Sequence, residues 1–246
     1  MVIGALFLFF LVSGTAPGQE KEIEKIKKFI KKKRINAAYL MAGENMFTIA
    51  KLNDYLGSRN FPTVAQNYFT YGLGGHVIHN KFVLGLEIQR SFKREQMTLK
   101  AFKTSLSAKY SVLNVGYLFY WKKGLMMYPL IGVGLGELRL QVIENNIQSF
   151  ADIGNYQKGS DSRTRSILLN IGFALDYFFK FNRSKKGQNN LMMGVRVGVL
   201  ASAAKFDWSV NRVTVPDGPT VGLTGPYVRV VIGLGGWVEK LIEKAI

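Results

Sequence analysis

The amino-acid sequence predicts an all-β fold, an eight-stranded antiparallel up-and-down transmembrane β-barrel. Two observations carry this prediction. After residue 34, apolar residues recur with a period of two in segments of about ten or more residues, whereas strands of soluble proteins average about five or six. The links between these segments alternate between short and long. Strands that cross a bilayer at a tilt need this length, and alternating links are typical of transmembrane barrels.

Four segments alternate clearly, and in each of them one face is predominantly apolar. In residues 165–180, the odd-numbered positions 167–179 are large and apolar, whereas Asp176 and most of the small residues share the other face. Glu87, Asp176, Arg196 and Arg229 lie on the small-residue faces of these segments, so the apolar faces are predicted to point outward into lipid. A soluble barrel or sandwich is the alternative. The four segments are 82–92, 165–180, 191–201 and 227–237.

Four further segments complete the count of eight strands: 35–47, 67–78, 104–121 and 125–143. The apolar parity changes within the third, which predicts a β-bulge near Val112. In the fourth, Gly132, Gly134 and Gly136 line one face and leave room for large neighbours inside a narrow barrel. Short links are predicted at residues 79–80, 122–124 and 183–189, and long links at 48–66, 93–103, 144–164 and 207–222.

Composition excludes several classes of site. The chain has 246 residues and no cysteine, so it has no disulfide framework, thiolate metal site or cysteine nucleophile. Its formal charge is +17, but the excess of 33 Lys and Arg over 16 Asp and Glu is spread along the chain. No nucleic-acid reader motif accompanies it, so no nucleic-acid partner is predicted. No cofactor and no metal site are predicted either.

The two ends of the chain carry separate predictions. Residues 2–12 form an apolar run too short to span ~30 Å of hydrocarbon, followed by small residues, and residues 1–19 are therefore predicted to be a signal peptide that is cleaved. A buried N-terminal strand or helix is the alternative. Residues 20–34 form a basic amphipathic leader, which either lies on an anionic membrane surface or is a solvated segment. The barrel covers residues 35–237, and residues 238–246 form a short tail.

Several motifs resemble one family. The stretches LNDYL at 52–56, NFP at 60–62, YGLGG at 71–75 and LGLE at 84–87 resemble the start of uncharacterised bacterial outer-membrane β-barrel proteins. The resemblance covers about residues 35–237. Two positions depart from the family pattern: Asn60 stands where glycine is usual, and the chain continues past Trp237.

The resemblance implies export to the bacterial outer membrane and insertion by the barrel-assembly machinery. That machinery reads a final strand that carries alternating apolar residues and an aromatic residue near its end. Tyr227 and Trp237 fit this assembly signal. We expect Trp237→Ala to lower the yield in the outer membrane, and an unchanged yield would remove the support for this role.

The interior of an eight-stranded barrel is about wide enough to be filled by side chains. Glu87, Asp176, Arg196, Arg229 and Lys109 are predicted to face inward from separate strands as a lumen charge network. Burying any one of them alone costs several kcal/mol, so they are expected to pair. A structural salt-bridge plug is one interpretation, and a narrow ion path is the alternative.

The second long link carries a basic cluster. Lys93, Arg94, Lys100 and Lys103 are predicted to form a rim that contacts anionic outer-membrane lipid, including the phosphates of lipopolysaccharide. Arg163 and Arg165 border the third long link. Aromatic residues include candidates for the interfacial girdles and for lumen packing. These residues are Tyr68, Tyr71, Tyr117, Tyr120, Trp121, Tyr128, Tyr177, Trp208, Tyr227 and Trp237.

The function predicted from the sequence is structural, adhesive or surface-binding, with no catalytic residue assigned. A lipid-modifying barrel enzyme is one alternative, and a small solute or ion channel is another. The enzyme alternative needs a histidine with a serine or an acid. The chain has two histidines, His76 and His79, whose spacing on a strand points them to opposite faces. The sequence does not indicate an oligomeric state.

Overall fold

The computed structural model describes residues 34–97, 102–144, 159–180, 188–210, 213–216 and 218–238. The predicted signal peptide, the leader up to residue 33 and the tail from residue 239 lie outside the described residues. Within the described residues there are twelve strands and one helix. The strands are β1 (Arg34–Met46), β2 (Asn67–His79), β3 (Phe82–Ser91), β4 (Arg94–Met97), β5 (Phe102–Tyr117), β6 (Tyr120–Lys122), β7 (Leu125–Glu144), β8 (Gly159–Lys180), β9 (Gln188–Lys205), β10 (Trp208–Val210), β11 (Val213–Val215) and β12 (Gly225–Val238), and the helix is α1 (Ala50–Ser58).

Eight long strands close into a barrel. Their order around the wall is β1, β2, β3, β5, β7, β8, β9 and β12, and every neighbouring pair is antiparallel. The last strand returns to the first, with Arg34 opposite Val238 and Asn45 opposite Tyr227. Each of the eight predicted segments is one of these strands, so the predicted fold class is confirmed.

The outer wall is an apolar belt. Leu73, Leu84, Ile131 and Ile171 are exposed on four of its strands, each by half or more of its surface. Leaving so much apolar surface in water would cost about 25 cal/mol per Å², whereas contact with lipid chains carries no such penalty. The belt therefore faces lipid, and the barrel is a transmembrane barrel.

Aromatic side chains mark both limits of the belt. At one limit Phe82 packs edge-on against Tyr117, with ring centroids 5.7 Å apart. At the other limit Phe92 lies between Tyr71 and Phe69, at 4.7 and 5.7 Å. Interfacial girdles of this kind are usual where a barrel meets lipid headgroups. Of the predicted girdle candidates, Tyr71, Tyr117, Tyr120, Trp121 and Tyr177 are exposed on the outside, and Tyr68, Tyr128, Trp208 and Tyr227 are buried.

The two ends of the barrel differ in their connections. At the short-turn end, Asn80 and Lys81 join β2 to β3 with φ of 48° and 74°, and Lys123 and Gly124 precede β7 with φ of 52° and 91°. Two consecutive residues with positive φ match the twist of the flanking strands, which is the type I′ hairpin geometry. At the long-loop end, β4 pairs with β5, and β10 pairs with β8 and β11.

The predicted bulge near Val112 is wrong. The pairing of β5 with β3 and β7 runs without a shift, and its even-numbered residues from Leu106 to Gly116 face inward throughout. The apolar parity changes because β5 packs apolar residues inside near one end and presents apolar residues to lipid near the other. A register shift does occur elsewhere: Ile167 pairs with Ala204, whereas Leu168 pairs with Ser202.

The long-loop end continues as an extended sheet. This extended sheet comprises β4, the first residues of β5, the end of β7, the start of β8, and the strands β10 and β11. Residues 137–144 of β7 lie past the last exposed apolar residue of that strand, Leu135. Among the described residues, no helix combines the length and apolar character needed to cross a membrane.

Candidate functional site

Four buried charges meet in the middle of the barrel. Arg196 of β9 lies with its Nη1 2.7 Å from Oε1 of Glu87 on β3 and its Nη2 3.4 Å from Oδ2 of Asp176 on β8. Arg229 of β12 places its Nη1 3.2 Å from the other oxygen of Glu87. All four side chains are at most 3% exposed. Two guanidinium groups and two carboxylates thus balance one another where water is excluded.

The bond between Arg196 and Glu87 crosses the lumen. From β3 to β9 the wall runs through β5, β7 and β8 in one direction and through β2, β1 and β12 in the other. The two residues therefore come from opposite sides of the barrel. Their ion pair lies in the centre of the lumen and links opposite sides of the barrel wall.

Tyrosine rings surround the arginines. The Arg229 guanidinium lies 3.5 Å from the centroid of the Tyr227 ring, and the Arg196 guanidinium 4.5 Å from that of Tyr39. Arg229 also donates a hydrogen bond of 2.8 Å to the Tyr110 hydroxyl. A cation over an aromatic face is stabilised further when both are desolvated. The tyrosines therefore stabilise charges that are buried from bulk solvent.

Asp176 receives a second donor from Tyr128, whose hydroxyl donates to its carboxylate. Arg196 Nη2 lies 3.3 Å from the same hydroxyl, and His76 Nδ1 lies 3.5 Å from it. His76 is 3% exposed, so it is part of the packed interior. Within the described residues, no three His, Asp or Glu side chains are arranged to hold a metal ion.

Glycines make room for the large side chains inside, as predicted for β7. A Cβ on Gly136 would collide with Cδ1 of Leu223. A Cβ on Gly172 would lie 2.5 Å from the Tyr227 hydroxyl, which donates a 2.9 Å hydrogen bond to Asn170. Real Cβ atoms do not approach so closely. The tyrosine fits because β8 presents a glycine to it.

The helix α1 closes the interior at the long-loop end. Its Leu52 and Leu56, one helical turn apart, are 0% and 1% exposed. They pack in a cluster with Tyr68, Leu106 and Leu223 among others. The predicted long link 48–66 is thus a folded plug whose LNDYL motif supplies the buried face.

An amide clamp holds this plug. The Asn53 side chain donates to the carbonyl of Val64 at 3.0 Å and accepts from its backbone N–H at 2.8 Å. These two bonds replace the pairing that a neighbouring strand would give Val64. The clamp joins α1 to the segment that leads into β2.

A second apolar cluster fills the short-turn end. Met126, Tyr128, Met192 and Val231 are each at most 1% exposed there, together with residues of β1 and β3. A small cavity of about 190 Å³ lies at the rim, against Ile35 and Phe178. The charged layer is therefore enclosed between two apolar layers.

The structure brings together Glu87, Asp176, Arg196 and Arg229 of the predicted lumen network, but not Lys109. The prediction for Lys109 is wrong. It lies on the odd-numbered face of β5, which points outward, and its side chain is 52% exposed. Its Nζ lies 3.0 Å from Glu137 Oε1 on the outer wall. A bulge near Val112 would turn Lys109 inward, whereas the continuous pairing of β5 turns it outward.

The predicted basic rim is partly paired. Lys93 Nζ lies 3.3 Å from Glu95, and Lys103 also forms an ion pair with Glu95. The hydrogen bond from Lys103 holds the pKa of the Glu95 carboxyl below its usual range. Arg94 donates to the backbone carbonyl of Asn67 at 3.3 Å, and Lys100 lies outside the described residues.

Of the predicted assembly signal, Tyr227 is buried and faces the lumen. Trp237 lies opposite Ile35 of β1 and Gln188 of β9 in β12, and its side chain lies outside the described residues.

Sequence reasoning did not separate the inward tyrosines Tyr68, Tyr128 and Tyr227 from the interfacial aromatic residues, and it missed the plug. Tyr128 has the same even parity on β7 as Gly132 and Gly136, and that signal places it inside the barrel. The spacing of Leu52 and Leu56 is a helical signal within a segment that was interpreted as a loop.

No protein-family model matches the chain, and no curated protein matches its sequence. Solved structures match it as a fold. Ail, the attachment invasion locus protein of Yersinia pestis, is 10% identical, with 84% of this chain and 99% of that chain covered and a TM-score of 0.40. A major outer membrane protein from Thermus thermophilus is 9% identical, with 82% and 99% covered and a TM-score of 0.38. Neisserial surface protein A is 13% identical, with 85% and 97% covered and a TM-score of 0.32.

Proposed function

We propose that the protein is a bacterial outer-membrane barrel that acts as a sealed anchor and carries a binding surface on its extended sheet at the cell exterior. One observation carries the anchor role. The ion pair between Glu87 and Arg196 crosses the lumen, and an apolar layer lies on each side of it. A lumen filled in this way supports a structural role better than conduction.

The channel alternative would require water and ions to pass two barriers. An ion would have to displace Leu52 and Leu56 at one end and Met126 and Met192 at the other. It would also have to break the arginine pairs, whose removal from their partners is costly in a low dielectric. The charges in the lumen therefore support cohesion rather than selectivity.

The extended sheet supports the binding role because ion pairs hold its neighbouring strands together. Arg139 binds Asp161 through two hydrogen bonds of 2.8 and 2.6 Å, and Arg163 adds a third of 3.3 Å to the same carboxylate. The hydrogen bond from Arg139 holds the pKa of Asp161 below its usual range. The anionic ligands proposed for this surface, outer-leaflet lipid and lipopolysaccharide, contact the rim of Lys93, Arg94 and Lys103, where three cations stand beside one acid, Glu95.

The enzyme alternative has little geometry to support it. His76 is enclosed by Tyr39 and Tyr128, with ring centroids 5.6 and 5.9 Å away. His79 ends β2 at the short-turn end, where its Nε2 lies 3.2 Å from the Asn80 amide. A lipid headgroup in the leaflet at the long-loop end would reach neither residue.

The orientation of the barrel in the outer membrane can be tested by labelling introduced cysteines, because the chain has no cysteine of its own. Thr214→Cys places a single thiol on the exposed strand β11, and Lys122→Cys places one at the short-turn end. A membrane-impermeant maleimide should label the first variant on intact cells and the second after the outer membrane is opened. Labelling of Lys122→Cys alone on intact cells would contradict the proposed orientation.

The sealed lumen is tested in planar bilayers. The wild-type chain should give no stable conductance steps, and the paired removal of the plug leucines, Leu52→Ala with Leu56→Ala, should give at most brief openings because the charged layer remains. Stable, ion-selective steps from the wild-type chain would refute the anchor role in favour of a channel.

A further inference from the structure

Four charged side chains form a row on the outer wall. Arg90, Lys109, Glu137 and Arg165 belong to the adjacent strands β3, β5, β7 and β8. They are cross-strand partners in succession: Arg90 lies opposite Lys109, Lys109 opposite Glu137, and Glu137 opposite Arg165. Opposite residues on neighbouring strands are adjacent across the sheet, so the four charges form a continuous band.

This row marks the limit of the apolar belt on the long-loop side. On three of its strands the residue two positions closer to the belt is apolar and exposed: Ile88, Leu135 and Ile167. Beyond the row, β7 and β8 continue into the extended sheet. The charges therefore lie where hydrocarbon ends and lipid headgroups begin.

The row carries more positive charge than it neutralises. The row has three cations and one carboxylate, and Glu137 contacts two of the cations, Lys109 Nζ at 3.0 Å and Arg165 Nε at 3.4 Å. The Glu137 side chain is 12% exposed, whereas those of Lys109 and Arg165 are 52% and 78% exposed. Arg90 is exposed and forms no ion pair among the described residues. One acid does not neutralise three cations, so N–H donors of Arg90, Lys109 and Arg165 stay available to an anion.

A groove lies along this row. It has a volume of about 710 Å³ and is bordered by all four charged residues of the row, by Ser111, and by the apolar side chains of Ile88, Leu135 and Phe206. Charged and apolar side chains therefore line the same groove. An amphiphile with an anionic head matches both parts.

We propose that this groove binds the phosphorylated headgroup of an outer-leaflet lipid. The phosphate lies between Arg90, Lys109 and Arg165, and an acyl chain follows Ile88 and Leu135 down the wall. The proposal rests on the membrane placement given under the proposed function. This site is separate from the basic rim around Glu95 on β4, where Lys93 and Lys103 form ion pairs with that acid.

The experiment measures lipid retention by native mass spectrometry of the folded full chain in detergent, with diphosphoryl lipid A added. We expect wild-type protein to retain one lipid, and Arg90→Gln/Lys109→Gln/Arg165→Gln to retain roughly tenfold less, since three exposed ionic contacts of modest strength are lost. The matched control is Lys81→Gln/Lys122→Gln/Lys123→Gln, which removes the same charge at the short-turn end and should bind as wild type.

Glu137→Gln supplies an effect of opposite sign. It removes the competing carboxylate, so lipid retention should rise, whereas general destabilisation would lower it. Three outcomes would overturn the proposal. The row variant and the control could retain the lipid equally, or wild-type protein could retain fully dephosphorylated lipid A as well as the diphosphoryl form. Wild-type protein could also bind inorganic phosphate without lipid. Gel mobility of unheated samples reports barrel folding separately, so a failure of membrane placement is distinguishable from a failure of this site.

Discussion

Glu87 and Arg196 lie 109 positions apart in the chain, yet their carboxylate and guanidinium atoms are 2.7 Å apart at the centre of the barrel. They project from strands on opposite sides of the wall. The same carboxylate also binds Arg229 at 3.2 Å. Glu87 is therefore the acid that both buried arginines share, and the stability of the barrel should depend on it.

We expect Glu87→Gln to lower the free energy of unfolding by about 3–5 kcal/mol, because one partner is removed from a buried ion pair and two guanidinium groups are left with Asp176 alone. The midpoint of urea unfolding in detergent micelles measures this. Asp54→Asn on the exposed face of α1 is the matched acid-to-amide control, and it should change little. Equal midpoints for the two variants would contradict the structural role of the network.

The clamp on the plug gives a local expectation. Asn53→Ala leaves the buried N–H of Val64 without its 2.8 Å acceptor, at a cost of about 1–3 kcal/mol. Hydrogen exchange of the Val64 amide should then be about ten to one hundred times faster, since about 1.4 kcal/mol corresponds to a factor of ten. Asp54→Ala, which alters the adjacent exposed residue, should leave that rate near the wild-type value. If both variants exchange alike, Asn53 does not hold the plug.

The packing of Tyr227 against β8 can be tested by a double-mutant cycle. Gly172→Ala places a Cβ 2.5 Å from the tyrosine hydroxyl, and such overpacking destabilises by about 1–3 kcal/mol. Combining it with Tyr227→Phe should recover part of the loss, although the carbonyl of Val197 remains 2.9 Å from the added atom. Gly57→Ala, which meets no atom within 4 Å, is the control and should not destabilise. If the free-energy changes of the two single variants simply add in the double variant, the tyrosine hydroxyl and Gly172 do not interact.

The extended sheet should depend on pH through Asp161. The hydrogen bond from Arg139 lowers the pKa of this carboxyl in the folded state. Its contribution to stability is therefore present above the unfolded pKa of about 3.9 and is lost as the pH falls through the lower folded value. Protection of amides at 139–143 and 159–163, corrected for intrinsic exchange, should fall below about pH 4, and Asp161→Asn should abolish this dependence. An identical pH profile in the variant would assign the dependence to another group.

Much of the site was predictable from parity alone. Glu87, Asp176, Arg196 and Arg229 were placed inside because each shares a strand face with small residues. Lys109 was misplaced because its strand shows two apolar parities, and one sequence cannot separate a bulge from a change of surroundings along a straight strand. The pairing of β5 resolves this, since its register with β3 and β7 is continuous.

The linear order of residues by itself determined which side of β3, β8, β9 and β12 meets lipid, because a strand alternates its side chains and hydrocarbon tolerates few charges. Only the closed tertiary structure decided that Glu87 reaches Arg196 across the lumen and that Leu52 and Leu56 seal one end. Both contacts depend on the register of the eight strands around the closed barrel. That register brings together residues that are far apart in the chain, and the sequence alone does not indicate that they touch.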